Sequence, residues 1–163
     1  MLFRSSDSDW AGCVDTRRST SGFVWIMGGG AICWRSKLQS IVALSSMEAE
    51  YVGATPAVQE VIWLRDLLCE LEIINDSPSL LNMDNRGAVS LTRGAGDSNW
   101  TKHINIRYHF IRTHIECKRI NTQYLLMDEM TADILTKNLS CTKHNYFVGK
   151  LGLVSRSGGS TYN

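Results

Sequence analysis

The stretch LSSMEAEY at residues 44–51 marks the start of a long helix that separates strand-like sequence from a mixed second half. Ser45 and Glu48 form the Ser-x-x-Glu pattern of a capping box, in which each side chain satisfies a free backbone amide at a helix start. Over residues 47–71, apolar side chains recur at spacings of three and four, as in an amphipathic helix. Pro56 lies within this segment, and because proline removes a helical hydrogen bond, a kink or break is expected just before it.

The sequence before this helix predicts three strands. Residues 2–8 form a short first strand, and residues 22–27 and 31–35 are apolar and aromatic segments on either side of three glycines. Since glycine clusters mark turns between strands, the second and third strands are expected to pair as an antiparallel hairpin.

Shorter elements follow the long helix. Strands and short helices are predicted at residues 79–83, 85–91, 122–126, 131–137 and 145–151. A further helix is indicated by an apolar stripe at Ile104, Tyr108, Ile111 and Ile115, which leaves its exposed part basic.

This order of elements predicts an α/β fold, with a five-stranded mixed sheet flanked by helices. The length of 163 residues and the hydrophobic fraction of 44% suit one domain, expected over residues 1–153. Residues 154–163 are rich in serine and glycine and are expected to form a flexible tail. Three tryptophans, Trp25, Trp34 and Trp63, are interpreted as core aromatics.

Composition excludes several classes of protein. The formal net charge of +1 means that any binding of nucleic acid must come from a local basic face. No apolar run reaches the roughly 20 residues that span a bilayer, so no membrane partner is expected. The five cysteines never form a Cys-x-x-Cys pair and are expected to be reduced in an intracellular protein. The four histidines lack the spacing of a zinc site.

Acidic residues lie at the ends of several predicted elements. Hydrolysis of phosphodiesters with two metal ions needs carboxylates from different elements, because two divalent cations about 3.5–4 Å apart must be held. The candidates are Asp7, Glu48, Asp84 and Asp133. Taken singly, the last three also fit plain roles at helix starts, as capping or first-turn acids.

Two of these choices have a close rival. Asp7 and Asp9 lie two residues apart, so they share one face of a strand, and Asp9 is kept as a reserve. Glu48 and Glu50 lie about 200° apart around a helix, so only one can point into a given site. Glu48 is preferred because its turn is expected to lie nearer the strand ends.

Six short motifs occur in order over most of the chain: SDSDWAG (6–12), RSTSG (18–22), LSSMEAEY (44–51), MDN (83–85), TKHI (101–104) and ADILTK (132–137). Together they resemble the motifs of the ribonuclease H domain of copia-type LTR retrotransposons. The resemblance implies a ribonuclease H-like fold and places the metal-binding, catalytic acids at Asp7, Glu48, Asp84 and Asp133. It also implies that Lys102 and His103 lie near the substrate, although both also fit a solvated helix start. Arg107 and Arg112 are expected to contact phosphates because they are basic, and Asn85 is a further substrate-binding candidate.

The function implied by this resemblance is hydrolysis of the RNA strand of an RNA–DNA hybrid during retrotransposon reverse transcription. Two Mg²⁺ ions are the expected cofactors, with Mn²⁺ as an alternative ion. The expected partners are the hybrid and the reverse transcriptase and integrase regions of a parent polyprotein, inside the cytoplasm, a virus-like particle or the nucleus. The alternative is a domesticated or silent fragment that keeps the fold, with or without hybrid binding, but does not cut.

Overall fold

A computed structural model describes residues 3–75, 77–94 and 102–154, which form a single five-stranded sheet with helices packed on it. The strands are β1 (Phe3–Ser8), β2 (Thr20–Met27), β3 (Gly30–Leu38), β4 (Ser79–Met83) and β5 (Ile120–Tyr124). Their order across the sheet is β3-β2-β1-β4-β5. The predicted α/β fold with a mixed sheet is therefore confirmed.

The direction of the strands brings two acidic residues to one edge of the sheet. β1, β2 and β3 are antiparallel neighbours, and β2 and β3 form the predicted hairpin. β1 and β4 run parallel, with Ser5 opposite Asn82, and β4 runs parallel to β5. Since parallel strands end at the same edge, Asp7 near the end of β1 lies close to Asp84, which directly follows β4.

Helices cover both faces of the sheet. They are α1 (Ser46–Glu70), α2 (Arg86–Thr92), α3 (Lys102–Glu116) and α4 (Cys141–Lys150), with two 3₁₀ helices at Met127–Glu129 and Thr131–Leu135. A Cβ placed on Gly53 of α1 would lie 2.9 Å from Ser21 Oγ, and one placed on Gly22 would lie 2.7 Å from Leu135 Cβ. Because adjacent residues of a strand face opposite sides, α1 and the second 3₁₀ helix lie on opposite faces of β2.

Gly22 and Gly53 thus allow a helix to approach the sheet closely.

Within the described residues, no helix has the length and hydropathy needed to cross a bilayer. All five cysteines lie in described segments and are free of disulfides.

The core lies between the sheet and α1. Trp25, Tyr51, Val58, Leu81 and Ile111 are each at most 1% exposed. The interpretation of Trp25 as a core aromatic is confirmed. The same interpretation is wrong for Trp34, which is 64% exposed, and for Trp63, which is 60% exposed. Trp34 lies on the edge strand β3, and Trp63 lies on the side of α1 turned away from the sheet.

The long helix is continuous through its proline. α1 runs from Ser46 to Glu70 with Pro56 inside it, so the expected break does not occur. Proline has no N–H to donate to the carbonyl four residues earlier, that of Val52. Arg107 of α3 donates to this carbonyl instead, with Nη1 3.3 Å from Val52 O. The contact from Arg107 replaces the helical hydrogen bond that Pro56 cannot make.

Three other elements differ in extent from the prediction. β5 begins at Ile120 instead of residue 122, because its alternation places Ile120 and Thr122 in the interior. The segment starting at Thr131 is a short 3₁₀ helix ending at Leu135 instead of a longer helix. α4 begins at Cys141 instead of residue 145, since Ser140 caps it by accepting from the Lys143 N–H at 3.4 Å.

Candidate metal centre

Three aspartates from distant parts of the chain meet at one edge of the sheet. Asp7, Asp84 and Asp133 each offer a carboxylate oxygen within 4.8 Å of the other two. Asp7 and Asp133 are 1% exposed, whereas Asp84 is half-buried. The three residues come from β1, from the turn after β4 and from the second 3₁₀ helix. The structure thus brings together three of the four acids proposed from the sequence.

The second 3₁₀ helix is fixed over β1 and β2 by its backbone. The Ala132 N–H donates to Ser5 Oγ at 3.0 Å, and Ser36 Oγ donates to the Leu135 carbonyl at 2.6 Å. Gly22 opposite Asp7 leaves the space that Leu135 and Thr136 occupy. These contacts place the Asp133 carboxylate beside that of Asp7.

Glu50 is the fourth acid that faces this cluster. Its side chain is 3% exposed, and its Oε1 accepts the Ser8 N–H at 2.7 Å. Its Oε2 is buried and has no hydrogen-bond partner among the described residues. Burial, together with the negative charges of Asp7 and Asp84, raises the pKa of Glu50 well above its ordinary value. Glu50 is therefore the glutamate of α1 whose pKa the charges of Asp7 and Asp84 help to raise.

The choice of Glu48 for this place is corrected by the structure. Glu48 Oε2 accepts the Leu44 N–H at 2.7 Å, and the Glu48 N–H donates to Ser45 Oγ at 3.1 Å. These are the two contacts of a cap at the start of α1, so the capping interpretation holds for Glu48. Glu48 was preferred for its height along the helix, but rotation about the helix axis decides which glutamate faces the sheet edge.

Asp9, the reserve for Asp7, closes the loop between β1 and β2. Its carboxylate accepts the Thr20 N–H, and its own N–H donates to Thr20 O at 3.1 Å. Burial raises the pKa of Asp9, while the bond from Thr20 opposes the rise. Asp9 is not one of the three aspartates whose oxygens converge.

A lysine that the sequence argument did not single out lies among the three aspartates. Lys137 Nζ is 2.8 Å from Asp7 Oδ1, 2.9 Å from Asp133 Oδ1 and 3.6 Å from Asp84 Oδ2. Burial opposes the charge of Lys137, but the hydrogen bonds to Asp7 and Asp133 outweigh it and hold its pKa above the ordinary value. The signal was present in the ADILTK motif, where Lys137 follows Asp133 by four residues.

Burial is also the main cause of the pKa shifts of two aspartates. It raises the pKa of Asp84, and the charge of Asp7 adds to the rise. It raises the pKa of Asp133 as well, although the hydrogen bond from Lys137 acts against it. Both shifts reflect the cost of holding an ionised carboxylate in a buried site.

The donor set suits a hard divalent cation. Mg²⁺ and Mn²⁺ bind carboxylate oxygens, and magnesium is held by few protein ligands because it retains several waters. Three carboxylates converge here, and Glu50, whose pKa is raised by burial and by the charges of Asp7 and Asp84, has a buried Oε2 without a hydrogen-bond partner among the described residues. Asp7, Glu50, Asp84 and Asp133 therefore fit the ion that the resemblance implies.

The residues expected to contact substrate have varied surroundings. Asn85 caps α2, since its Oδ1 accepts the Ala88 N–H at 3.0 Å. Arg112 donates to Tyr108 Oη at 2.8 Å and to Glu116 Oε1 at 3.1 Å, both within α3. Arg107 is half-buried, and burial lowers its pKa. The side chains of Lys102 and His103 lie outside the described residues.

Arg107 also lines a groove of about 430 Å³ between the β2–β3 hairpin and helices α1 and α3. The described lining contains the basic side chains of Arg35, Lys37 and Arg107 and no acidic side chain. The lining includes Ser21, whose Oγ is 3.0 Å from Ser8 Oγ, and the Ser8 N–H binds Glu50. One lining residue is therefore connected through Ser8 to Glu50.

Solved structures with the same fold are ribonucleases H. A ribonuclease H1 called LC11, solved in complex with an RNA/DNA hybrid, matches 83% of this chain and 94% of its own with a TM-score of 0.59 and 15% identity. The N-terminal ribonuclease H domain from Mycobacterium tuberculosis, solved as a fusion with maltose-binding protein, matches 91% of this chain and 97% of its own, with a TM-score of 0.60 and 13% identity. At these identities the likeness shows the fold.

Curated relatives are similar in sequence. The retrovirus-related Pol polyprotein from transposon TNT 1-94 of Nicotiana tabacum is 39% identical over 132 residues, or 81% of this chain. That from transposon RE1 of Arabidopsis thaliana is 38% identical over 152 residues, or 93% of this chain. The chain spans about 10% of the length of each relative. No family model matches the chain. The chain is therefore homologous to a segment of the retrovirus-related Pol polyproteins of plant copia-type transposons, and it has the ribonuclease H fold.

Proposed function

We propose that this domain is a ribonuclease H that hydrolyses the RNA strand of RNA–DNA hybrids with two divalent metal ions. The observation that carries the proposal is the convergence of Asp7, Asp84 and Asp133 within 4.8 Å, with the buried Glu50 facing them. A ribonuclease H fold and relatives among transposon Pol polyproteins support the same activity.

The chain's own residues bind and position the reacting groups. Asp7, Glu50, Asp84 and Asp133 would hold the ions, with Mg²⁺ as the expected species and Mn²⁺ as an alternative. When bound, such ions lower the pKa of a water nucleophile and stabilise charge on the leaving oxygen of the phosphodiester. The Ser8 N–H holds Glu50 by its Oε1, which leaves Oε2 without a hydrogen-bond partner among the described residues. The protein contributes fixed carboxylates, and no covalent link to the substrate is needed.

The hybrid would lie over the carboxylates and along the basic groove. Arg35, Lys37 and Arg107 line this groove without an acidic neighbour, which suits contact with backbone phosphates. Selection of the RNA strand would rest on its 2′-hydroxyls, which distinguish RNA from DNA at a given position. Little preference for base sequence is expected.

In the parent element, this activity would serve reverse transcription next to the reverse transcriptase and integrase regions. We infer an intracellular site of action, in the cytoplasm, a virus-like particle or the nucleus. The second candidate is a silent or domesticated domain that keeps the fold and does not cut. Lys137 favours it, since a lysine ammonium among the aspartates stands where a metal ion would have to bind.

Cleavage of a labelled RNA–DNA hybrid in magnesium tests the two candidates. Asp84→Asn should reduce the rate by more than about 100-fold, since even residues behind metal ligands change activity 10–100-fold. Asp66→Asn is the matched control, because Asp66 is exposed and pairs with Arg119 on the outer side of α1. Calcium should allow a gel shift of the hybrid with little cutting, since its looser coordination misplaces the reacting groups.

Two results would refute the nuclease proposal. One is equal cutting by the wild type and Asp84→Asn, which would mean that the carboxylates are not used. The other is an absence of magnesium-dependent cutting by the wild type alongside a retained gel shift, which would establish the silent domain instead.

A further inference from the structure

Lys137 occupies the centre of the carboxylate cluster. Its ammonium is hydrogen-bonded to one oxygen of Asp7 at 2.8 Å and to one oxygen of Asp133 at 2.9 Å. Asp84 Oδ2 lies 3.6 Å from the same nitrogen. A single positive charge thus contacts all three aspartates that would bind a metal ion.

The remaining oxygens of the two buried aspartates are also engaged. Thr136 Oγ1 donates to Asp7 Oδ2, and Lys143 Nζ lies 3.5 Å from Asp133 Oδ2. Magnesium binds carboxylate oxygens at about 2.0–2.1 Å. Lys137 Nζ already holds Asp7 Oδ1 and Asp133 Oδ1, so a divalent ion would have to compete with the ammonium for these two oxygens.

We propose that Lys137 is an internal cation that competes with the divalent ion for Asp7 and Asp133 and must withdraw before the ion binds. The inference rests on the proposed function in that it takes the cluster as a metal site. Lys137 has the room to withdraw, since its side chain is 25% exposed and flexible, whereas those of Asp7 and Asp133 are at most 1% exposed. The lysine offsets part of the negative charge of the aspartates and holds them together, and it lowers their affinity for the ion.

Asp84 is the acid of the cluster that an entering ion would reach first, because it is the most exposed of the three aspartates and its contact with Lys137 Nζ, at 3.6 Å, is longer than those of Asp7 and Asp133. A divalent ion beside Asp84 would repel the ammonium of Lys137 and favour its release from Asp7 and Asp133. The competition therefore acts on the affinity of the whole site for the ion.

Calorimetric titration of the full chain with Mn²⁺ tests this competition, without substrate and without any measurement of cutting. Lys137→Met keeps the length of the side chain and removes its charge. It should lower the dissociation constant about tenfold, the size expected when one charge-assisted hydrogen bond no longer has to be broken. Lys150→Met is the matched control, because Lys150 pairs with the exposed Glu129 away from the aspartates, and its dissociation constant should equal that of the wild type.

The stability of Lys137→Met in chelator and in Mn²⁺ provides a second measurement. Lys137→Met should unfold at lower urea concentration than the wild type, since Asp7, Asp84 and Asp133 then lose the ammonium between them and only Lys143, beside Asp133, remains. Mn²⁺ should stabilise this variant more than the wild type. If Lys137→Met does not fold in chelator, Lys137→Arg decides the matter, because a retained charge should keep Mn²⁺ binding as weak as in the wild type or weaker.

The possible outcomes separate this inference from the proposed function. Equal or weaker binding of Mn²⁺ by Lys137→Met, or tighter binding by Lys137→Arg, overturns the competition and leaves the metal site intact. An absence of Mn²⁺ binding in both the wild type and Lys137→Met overturns the metal site itself and the competition with it.

Discussion

Glu48 and Glu50 are both buried in the first turns of α1, yet they contact different parts of the molecule. Glu48 reaches back to the Leu44 N–H and completes the cap of the helix. Glu50 reaches across to the Ser8 N–H at the end of β1. One glutamate therefore stabilises the helix start, while the other belongs to the carboxylate cluster.

Conversion of each glutamate to glutamine should separate these roles. Glu50→Gln keeps an acceptor for the Ser8 N–H but removes a buried charge beside Asp7 and Asp84. Urea unfolding in chelator should show a gain of about 1 kcal/mol, the usual size when a strained functional site is relaxed, and magnesium-dependent hybrid cleavage should be lost. Glu48→Gln should retain cleavage, since glutamine serves equally in a capping box.

The reverse pattern would contradict this assignment. If Glu50→Gln cut the hybrid like the wild type while Glu48→Gln did not, Glu48 would be the acid that acts in the site.

At the scale of elements, α1 depends on α3 for its continuity. Pro56 leaves the Val52 carbonyl without its helical donor, and Arg107 of α3 supplies a replacement. The same arginine lines the basic groove. Its position is therefore fixed by a structural contact that also orients it beside the proposed path of the hybrid.

A double-mutant cycle on Pro56 and Arg107 measures this coupling. Arg107→Ala should cost about 1 kcal/mol in the wild type, the net value of one hydrogen bond. In Pro56→Ala, the new N–H at position 56 can donate to Val52 O, so the cost of Arg107→Ala should shrink and the coupling should be on the order of 1 kcal/mol. Urea unfolding of the four proteins gives this coupling.

Arg112→Ala provides the control for this cycle. Arg112 bonds Tyr108 and Glu116 within α3 and does not contact Val52 among the described contacts, so its effect should add to that of Pro56→Ala. Additive effects of Pro56→Ala and Arg107→Ala would mean that the contact contributes nothing to stability.

At the scale of the whole molecule, α4 closes the fold against the β2–β3 hairpin. Phe147 of α4 is fully buried, and the Ala31 N–H donates to Leu151 O at 2.9 Å. Gly152 has a φ of 71°, and a Cβ there would lie 2.1 Å from Gly29 O. The chain around residue 152 is thus packed tightly on the hairpin turn, whereas Val154 is 90% exposed.

Two changes test where the domain ends. Phe147→Ala should reduce the free energy of unfolding by about 3 kcal/mol, as for other large-to-small changes in a core. Residues 155–163, which belong to the predicted flexible tail, lie outside the described residues, and their removal should leave the free energy of unfolding unchanged within about 0.5 kcal/mol. Urea unfolding of both proteins measures the difference. A clear loss of stability on removal of residues 155–163 would show that the domain extends beyond residue 153.

Local sequence was sufficient for most of the fold. The period of apolar residues predicted the helix now seen at Ser46–Glu70, and the glycines at 28–30 predicted the β2–β3 hairpin, because both signals come from neighbours along the chain. The motifs also indicated Asp7, Asp84 and Asp133, which the structure brings together. Acids at strand ends are found this way because the ends of parallel strands share an edge.

Only the tertiary structure decided which helix face meets the sheet and which charges meet inside the site. The choice between Glu48 and Glu50 depends on the rotation of α1 on β1, the place of Lys137 depends on the path of the chain after the second 3₁₀ helix, and the continuity of α1 depends on Arg107. Each is a contact between residues more than 40 positions apart in the chain. Sequence periodicity carries no information on such pairs, since it records only which side of an element is buried and not what it is buried against.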